Sequence, residues 1–325
     1  PRDLDRLDTF KSAGPDGLHP RVLRELASII AQPLARIFES SWRSGEVPDD
    51  WKRANVVPIF KKGRKADLAN YRPISLTSIL GKVLEKIIKE AILNRLAEGN
   101  ILRDTQHVFV AGRSYLTNLI SFYDHVTYHL DKGEEIDIIH LNFKKAFNLV
   151  SHDHLLVKLA NCGLDITTIR WLGSWLRGRT QRVVVDGSQS SWCAVTSGIP
   201  QGSVLRPILF NIYINDVDIG VKSGLAKFAD DTKLWGKVST PENRRVIQAD
   251  LDRLMNWADE NLMVFNTEKC KVLHLGRKNL HHAYRLGSAT LVSTTDERDL
   301  GVTVDHKMNM SLQCDAAASK ASKML

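Results

Sequence analysis

The spacing of the apolar residues changes along the chain, and this change limits the fold more than any other feature. Between Ser78 and Glu98 apolar residues recur at every third or fourth position and Gly99 follows, which predicts one amphipathic helix that ends at the glycine. The segment Ile136–Phe143 is instead short and rich in β-branched residues, which is typical of a partly buried strand. A chain that combines both patterns is predicted to be an α+β protein, with a mainly antiparallel sheet backed by helices.

Weaker patterns predict the remaining elements. A helix that begins near Val22 meets Pro33, which is expected to break or restart it. Glu85 and Lys89 have the spacing of an ion pair on a helix surface. Further helices are predicted at 116–130, 154–160, 167–176, 202–215 and 242–261, and further strands at 181–185, 192–195, 226–229, 232–235, 263–265, 271–275 and 300–304.

The composition is that of an ordinary folded protein. The 325 residues suit one large domain or two intimate subdomains, and the formal net charge of +8 favours a polyanionic partner. We expect neither a membrane span nor a secretory signal, because no apolar run has the length or flanking charges of either. The four cysteines lie far apart, which indicates reduced thiols of an intracellular protein and not a zinc site. Because the chain begins at Pro1, we expect a fragment or a processed piece.

Three short segments carry the candidate chemistry. Asp230 and Asp231 lie between two predicted strands, where paired carboxylates can hold divalent cations, although such a pair alone is more typical of a solvated turn. The glycine- and proline-containing segment Thr196–Ser203 precedes a predicted helix, so its N–H groups and the Gln201 amide either meet phosphates or a base edge, or form an ordinary capped loop. Phe147 follows a predicted strand and packs either against a sugar or in the core.

These segments belong to a series of motifs that occur in one order along the chain. The motifs are Lys11–Gly17, Trp51–Phe60, Asn70–Ser75, Gly198–Ser203, Phe228–Asp231, Asn266–Lys271 and Leu300–Val302. Over nearly the whole chain the sequence resembles the reverse transcriptase of non-LTR (LINE-type) retrotransposons, most closely the jockey and chicken-repeat (CR1) elements.

The resemblance implies a right-hand polymerase fold. The fingers would cover about 1–135 and again 165–200, the palm the remainder to 304, and residues 305–325 would begin a truncated thumb. The implied activity is RNA-directed DNA polymerase, which adds deoxynucleotides to a primer 3′-hydroxyl with two Mg²⁺ ions. The implied partners are an RNA template, a DNA primer and deoxynucleoside triphosphates, with no membrane. The implied location is intracellular, in cytoplasm and nucleus, and the oligomeric state stays open.

The resemblance also assigns binding roles to individual residues. Arg72 would contact the template or the incoming nucleotide, and Gln201 and Gly202 would line the nucleotide and template–primer pocket. Phe147 would be the steric gate, whose ring collides with a ribose 2′-hydroxyl and therefore favours deoxynucleotides. Leu300–Val302 would form the primer grip.

The catalytic roles fall on carboxylates and one lysine. Asp230 and, more peripherally, Asp231 would bind the metal ions, and Lys269 would protonate the leaving pyrophosphate. Asn142 stands where the family has the aspartate that pairs with Asp230 as a metal ligand. An asparagine has nearly the same shape but is neutral and offers one carbonyl oxygen in place of a bidentate anion. We therefore expect the reaction to be impaired in this copy.

Other departures occur at positions that are functional in the family. Asn148 replaces a usual aspartate, Val108 and Val110 replace a usual glycine and arginine, and Arg206 replaces a usual glycine. Such substitutions in a chain whose apolar pattern is intact suggest neutral decay of a stranded element.

Two alternatives to a polymerase of this kind stay open. The first is a non-catalytic RNA-binding remnant, in which a basic surface of the fingers still contacts phosphates. That surface would comprise Lys52, Arg53, Lys61, Lys62, Arg64 and Lys65, which alone are equally typical of a solvated face. The second is an RNA-templated RNA polymerase, against which the bulky Phe147 argues.

Overall fold

The computed structural model describes residues 1–108, 110 and 112–324. The helices are α1 (Arg2–Asp5), α2 (Pro20–Glu25), α3 (Ala27–Ser44), α4 (Asp49–Lys52), α5 (Ile79–Glu98), α6 (Tyr115–Asp131), α7 (Ala146–Leu149), α8 (His152–Asn161), α9 (Ile166–Leu176), α10 (Arg206–Tyr213), α11 (Pro241–Glu260) and α12 (Ser311–Ser322). The strands are β1 (Arg53–Phe60), β2 (Tyr71–Thr77), β3 (Ile136–Asn142), β4 (Arg179–Val185), β5 (Ser188–Gln189), β6 (Cys193–Val195), β7 (Gly224–Phe228), β8 (Asp231–Lys237), β9 (Lys271–Leu275), β10 (Arg285–Leu286), β11 (Ala289–Thr290), β12 (Val292–Thr294), β13 (Asp296–Asp299) and β14 (Val302–Asp305).

The chain forms two compact units. The first unit comprises Pro1–Leu102 and Phe147–Tyr213, and the second comprises Arg103–Ala146 and Ile214–Leu325. The boundaries of fingers, palm and thumb drawn from the sequence stay predictions. Phe109, Ala111 and Leu325, which fall within those ranges, lie outside the described residues.

The first unit is built on a sheet that contains β1, β2, β4, β5 and β6. The order along the sheet is β2-β1-β4-β5, and β6 also pairs with β4. β1 and β4 run parallel, and the other pairs are antiparallel. The strands predicted at 181–185 and 192–195 are confirmed as β4 and β6, which pair through Arg179–Gln181 and Cys193–Val195. Neither β1 nor β2 was predicted as a strand, because each contains a proline; Pro58 and Pro73 lie directly opposite each other in the register.

Helices of the first unit cover its sheet and confirm most of the helical predictions. Ser78 caps α5 by accepting a hydrogen bond from Gly81 N–H, so the helix begins where the sequence predicts. Pro33, however, lies inside α3 and does not break it. The Ile29 carbonyl loses its helical donor there, and because Ile29 is exposed, water can replace that donor. The break falls instead at Leu26, between α2 and α3.

The second unit is built on a sheet of order β12-β9-β3-β8-β7. All pairs are antiparallel except β9 with β12, so the prediction of a mainly antiparallel sheet backed by helices is confirmed. One face of this sheet packs on α6, where Phe122 and Val126 lie against strand residues such as Ile138. Two small hairpins, β10–β11 and β13–β14, complete the unit.

Some predicted boundaries are wrong. The helix predicted over 202–215 spans only Arg206–Tyr213, because residues before it form the turns of a glycine-rich loop. The strand predicted at 263–265 is reduced to a single bridge between Phe265 and Phe143. The strand predicted from Leu300 begins at Val302. In the described part of the chain, no helix combines the length and apolarity needed to span a membrane.

Candidate active site

The paired aspartates lie where two strands of the second unit are connected. β7 and β8 pair with Phe228 opposite Asp231, so Ala229 and Asp230 form a two-residue connection. Ala229 has a φ of +56°, the left-handed conformation that such short hairpin turns use. The predicted position of Asp230 and Asp231 at a hairpin tip is confirmed. We call the β7–β8 segment from Gly224 to Lys237 the carboxylate hairpin.

Asn142 is the last residue of β3 and lies directly opposite Asp231 in the β3–β8 register. Its Nδ2 donates a hydrogen bond of 3.0 Å to Asp231 Oδ1. The sequence prediction paired Asn142 with Asp230, whereas its direct partner in the structure is Asp231. Because strand pairing uses backbone groups, the neutral side chain keeps the register while it replaces one acidic group by a donor.

A cavity of about 340 Å³ adjoins this strand pair within the second unit. Asn142, Asp231 and Lys269 all line it, so the structure brings three of the predicted catalytic residues together. Desolvation by the surrounding protein raises the pKa of Asp231, although the Asn142 hydrogen bond lowers it. The charge of Asp299 also raises this pKa, and the charge of Lys269 lowers it. Burial thus disfavours the charged form of the Asp231 carboxyl.

The predicted primer grip lies at the same cavity. Leu300, which lines the cavity, has a φ of +47° and forms the turn of the β13–β14 hairpin with Gly301. Lys233 Nζ on β8 donates to Asp299 Oδ2 at 2.7 Å, and both residues are buried. This ion pair joins the carboxylate hairpin to the turn that contains the predicted grip.

A second buried lysine lies on the other strand of the carboxylate hairpin. Lys227 has no exposed surface, and its Nζ lies 3.3 Å from an oxygen of the buried Asp218. Burial lowers the pKa of Lys227 to about 8, although Asp218 acts in the opposite direction. The sequence did not reveal Lys227 or Lys233, since lysine is usually a surface residue; the only signal was their position inside short apolar strands.

Gln201 and Gly202 belong to the first unit, in a segment that we call the glycine loop (Ser197–Ser203). Ser75 N–H donates to the Gln201 carbonyl at 2.9 Å and so ties the loop to β2. Gly202 has a φ of +105°, and a Cβ there would lie 2.7 Å from the Ser75 carbonyl oxygen, so only glycine fits. Gln201, Pro73 and Ser75 line a cavity of about 300 Å³. The N–H groups of Gly198, Ile199 and Ser203 donate to protein carbonyls, and Ser203 Oγ accepts from Arg206 N–H at 3.2 Å. These contacts match the capped-loop alternative, and contact of the Gln201 amide with a phosphate or a base stays a prediction.

The Phe147 ring packs against two other side chains of the first unit. Its ring stacks on Phe210 with centroids 4.1 Å apart, and the Arg206 guanidinium lies 4.3 Å from the Phe147 centroid. Arg206 Nη1 also donates to the Ile199 carbonyl at 2.8 Å. The arginine that replaces the family's glycine is therefore part of the packing around this ring. These contacts match the core alternative for Phe147, and contact with a sugar stays a prediction.

Arg72 lies apart from the Gln201 cavity. Side chains alternate between the two faces of a strand, so Arg72 is on the opposite face of β2 from Pro73 and Ser75. It is exposed and lies opposite Ile59 in the register. The structure therefore does not bring Arg72 together with Gln201, and its predicted contact with template or nucleotide stays a prediction.

Glu85 was predicted to lie on the surface of α5, but it is buried. It is 2% exposed, so the predicted surface ion pair with Lys89 is wrong. Its carboxylate accepts hydrogen bonds from Trp175 Nε1 at 3.0 Å and from Val204 N–H at 2.7 Å, directly after the glycine loop. Burial raises the pKa of Glu85. Its spacing from Ile88 and Ile92 on the buried side of α5 was the available signal.

The donors near the carboxylate hairpin do not fit a pair of Mg²⁺ ions. Mg²⁺ prefers carboxylate oxygens, and a two-ion site needs such ligands for both ions. Within residues 1–108, 110 and 112–324, no group of three His, Cys, Asp or Glu side chains is placed to hold an ion. Asn142 directs its Nδ2 at Asp231, so a hydrogen-bond donor faces this carboxylate at the position where the resemblance implies a further carboxylate.

The sequence matches one known family over most of its length. Residues 59–306 match the family described as "Reverse transcriptase (RNA-dependent DNA polymerase)", so the chain belongs to the reverse transcriptase family. The fold is the right-hand polymerase fold. Apo telomerase from Candida tropicalis, truncated from its C-terminal domain, superposes with a TM-score of 0.55 at 13% identity, over 93% of this chain and 62% of that one.

Among relatives, the resemblance to non-LTR mobile elements is confirmed. The chain is 30% identical over 326 residues to the RNA-directed DNA polymerase from mobile element jockey of Drosophila melanogaster, covering 95% of this chain and 35% of the relative. It is 28% identical over 318 residues to the probable RNA-directed DNA polymerase from transposon BS of the same species, covering 94% and 35%. The chain thus spans about a third of the length of these relatives.

Proposed function

We propose that this chain is an RNA-directed DNA polymerase domain that still binds its nucleic acids but whose polymerase reaction is impaired by Asn142. Its substrates would be an RNA template, a DNA primer and deoxynucleoside triphosphates, it would act inside the cell, and it would bind Mg²⁺ only weakly because Asn142 replaces a carboxylate ligand. One observation carries the proposal: the Asn142 amide, and not a carboxylate, contacts Asp231 at the end of the paired strands β3 and β8.

The expected impairment is electrostatic. Attack of a primer hydroxyl on a nucleoside triphosphate builds negative charge that cations must neutralise, and this is worth several kcal/mol. Asn142 removes one unit of the negative charge that would hold those cations. Since each loss of about 1.4 kcal/mol slows a reaction about tenfold, the expected loss in rate is on the order of a thousandfold.

Primer extension on an RNA template tests the proposal. The unaltered chain should give extension near background with Mg²⁺ or Mn²⁺, whereas Asn142→Asp should recover metal-dependent extension in part. Recovery is partial because Val110 and Arg206 remain. Adding Asp230→Asn to the recovered protein should abolish the gain. Adding Asp186→Asn should not, because Asp186 lies in the turn after β4 in the first unit, at a φ of +48° that asparagine tolerates.

Binding is measured separately from extension. Affinity for an RNA–DNA hybrid should fall steeply with salt, with a log–log slope of several units, because phosphate contacts release counterions. If Asn142→Asp stays at background although the protein is folded and binds hybrid, the chain is a non-catalytic nucleic-acid-binding remnant. If hybrid does not bind at about 50 mM salt, both functions are wrong.

A further inference from the structure

A serine, a histidine and an aspartate of the second unit form a chain of hydrogen bonds on its sheet. Ser293 on β12 is exposed, and its Oγ lies 2.9 Å from Nε2 of His274 on β9. His274 Nδ1 lies 2.6 Å from Oδ1 of Asp137 on β3. His274 is 4% exposed and Asp137 is fully buried, so the bonds run from the surface into the sheet. We call these three residues the serine triad.

The strand register places the serine triad on one face of the sheet. Asp137 lies directly opposite His274 in the antiparallel β3–β9 pair. Ser293 lies opposite Val272, which is two residues from His274 on β9, so all three side chains of the triad point to the same side. The backbones of three paired strands therefore fix the arrangement, which holds side chains more precisely than a loop does.

Two further hydrogen bonds hold the carboxylate of the triad. Tyr284 Oη donates to Asp137 Oδ2 at 2.8 Å, and Asn279 Nδ2 donates to Asp137 Oδ1 at 2.8 Å. Asp137 also accepts the proton at His274 Nδ1, because a carboxylate has no proton to donate. A neutral imidazole has one N–H group, so its Nε2 then presents a lone pair to the Ser293 hydroxyl. This polarity is the one that a general base needs to take a proton from a serine.

The backbone of Ser293 supplies a hydrogen-bond donor beside its hydroxyl. β12 is an end strand of its sheet. Leu291 N–H donates to the Tyr284 carbonyl, and the Thr295 carbonyl accepts from His306 N–H, both at 2.9 Å and both away from β9. Backbone groups alternate in direction along a strand, so Ser293, midway between Leu291 and Thr295, also directs its N–H away from β9. An N–H group on the nucleophilic residue itself can stabilise the oxyanion of an acyl transfer.

We propose that Ser293 is a nucleophile that hydrolyses small carboxylic esters, with His274 as its general base and Asp137 as a positioning residue. Ser293 is exposed at the edge of the sheet, so a small ester can reach its hydroxyl. This activity goes beyond the proposed polymerase reaction and does not depend on it.

The reaction balances with water as the only co-reactant. Ser293 Oγ attacks the acyl carbon while its proton passes to His274 Nε2, and the carbonyl electron pair moves onto the oxygen. Collapse of this oxyanion breaks the bond to the alcohol, which leaves with the proton from His274. Water then attacks the acyl-serine and gives a proton to His274. The second collapse releases the carboxylic acid and returns that proton to Ser293 Oγ.

Labelling with a fluorophosphonate, which phosphonylates activated serines with loss of fluoride, tests the nucleophile. Intact mass and peptide mapping should find about one label per chain, on Ser293. Ser293→Ala should take no label. Ser288→Ala is the matched control and should be labelled like the unaltered chain, because Ser288 is an exposed serine in the turn between β10 and β11 of the same unit.

Release of p-nitrophenol from p-nitrophenyl acetate tests turnover. Ser293→Ala should lower the rate about a hundredfold, and Ser288→Ala should not change it. His274→Gln should lose both label and turnover, since an amide cannot take the proton. Circular dichroism melting verifies that each variant is folded. If His274→Gln does not fold, the two exposed serine variants decide the question.

The absence of a label on Ser293 in the unaltered chain would overturn the proposal. So would p-nitrophenol release by Ser293→Ala within twofold of the unaltered chain, or a label that persists on folded His274→Gln. A lower melting temperature of Ser293→Ala, together with no label on the unaltered chain, would show that Ser293 only holds the His274 ring in place. Binding of an RNA–DNA hybrid is measured on the same samples, and its loss would count against the proposed function alone.

Discussion

The glycine loop of the first unit is held by backbone geometry, whereas the carboxylate hairpin of the second unit is held by buried charges. The loop depends on the positive φ of Gly202 and on the bond from Ser75 N–H to the Gln201 carbonyl. The hairpin has one buried lysine on each strand, Lys227 paired with Asp218 and Lys233 paired with Asp299.

This difference explains which substitutions each region tolerates. At Gly202 any side chain would meet the Ser75 carbonyl, so identity at that position is fixed by space. Asn142 is neutral but has nearly the shape of an aspartate, and it keeps the strand register. The fold therefore does not require the negative charge that the reaction needs. The absence of a charge at position 142 is therefore compatible with an intact sheet.

The largest effect should come from a buried ion pair of the hairpin. Lys233→Met leaves Asp299 buried without its cation, which should lower the free energy of unfolding by about 3–5 kcal/mol in urea denaturation. Adding Asp299→Leu should restore most of the loss, because the uncompensated charge is then gone. A loss below about 1 kcal/mol in the single variant would show that charge does not hold the hairpin.

A smaller loss is expected at the glycine loop. Gly202→Ala forces a Cβ to 2.7 Å from the Ser75 carbonyl oxygen at a φ of +105°, which should cost about 2–3 kcal/mol of unfolding free energy. Gly187→Ala is the control. Its φ is +80°, but no atom lies within 4 Å of the added Cβ, so only the backbone strain remains. Equal losses at the two positions would contradict the close approach of loop and β2.

The smallest effect is a pH dependence that only the hairpin should show. Burial lowers the pKa of Lys227 to about 8, against about 10.4 in the unfolded chain. Between these two pKa values the unfolded state binds more protons than the folded state, so the free energy of unfolding rises with pH. Below pH 8 the full free-energy cost of a charged, buried Lys227 is present. Relative to Lys227→Met, the unaltered chain should gain less than about 1.4 kcal/mol between pH 8 and pH 9. If the free energy of unfolding depends on pH in the same way for the unaltered chain and for Lys227→Met, the lowered pKa of Lys227 is refuted. The pH dependence of Gly202→Ala should match that of the unaltered chain.

Local patterns in the sequence predicted the elements that depend on local contacts. The apolar stripe of α5 and its Ser78 cap, and the hairpin that carries Asp230, all follow from residues within about one helix turn or one β-turn of each other. The β1–β4 ladder joins Arg53 to Thr180 across the chain, and no local pattern reports such a pairing. β1 was therefore not predicted, whereas the strand predicted at 181–185 lies within β4.

The candidate site could likewise be predicted only in part from the sequence. Motif resemblance located Asn142, Asp231 and Lys269, and the structure gathers them at one cavity. It could not show that Arg206 packs on Phe147, because a substituted residue has no counterpart in the family pattern. Nor could it show that Glu85 is buried, since a glutamate on a helix is usually exposed.

We expect the strand geometry around Asp231 to be intact and the lost charge at Asn142 to be the dominant defect of the site. Isothermal titration with Mn²⁺ tests it without any polymerase reaction, on the folded chain and on Asn142→Asp. We predict at least about tenfold tighter Mn²⁺ binding by Asn142→Asp, because a second carboxylate then faces Asp231, and no change for Asp186→Asn. Equal Mn²⁺ affinity of the unaltered chain and Asn142→Asp would contradict it.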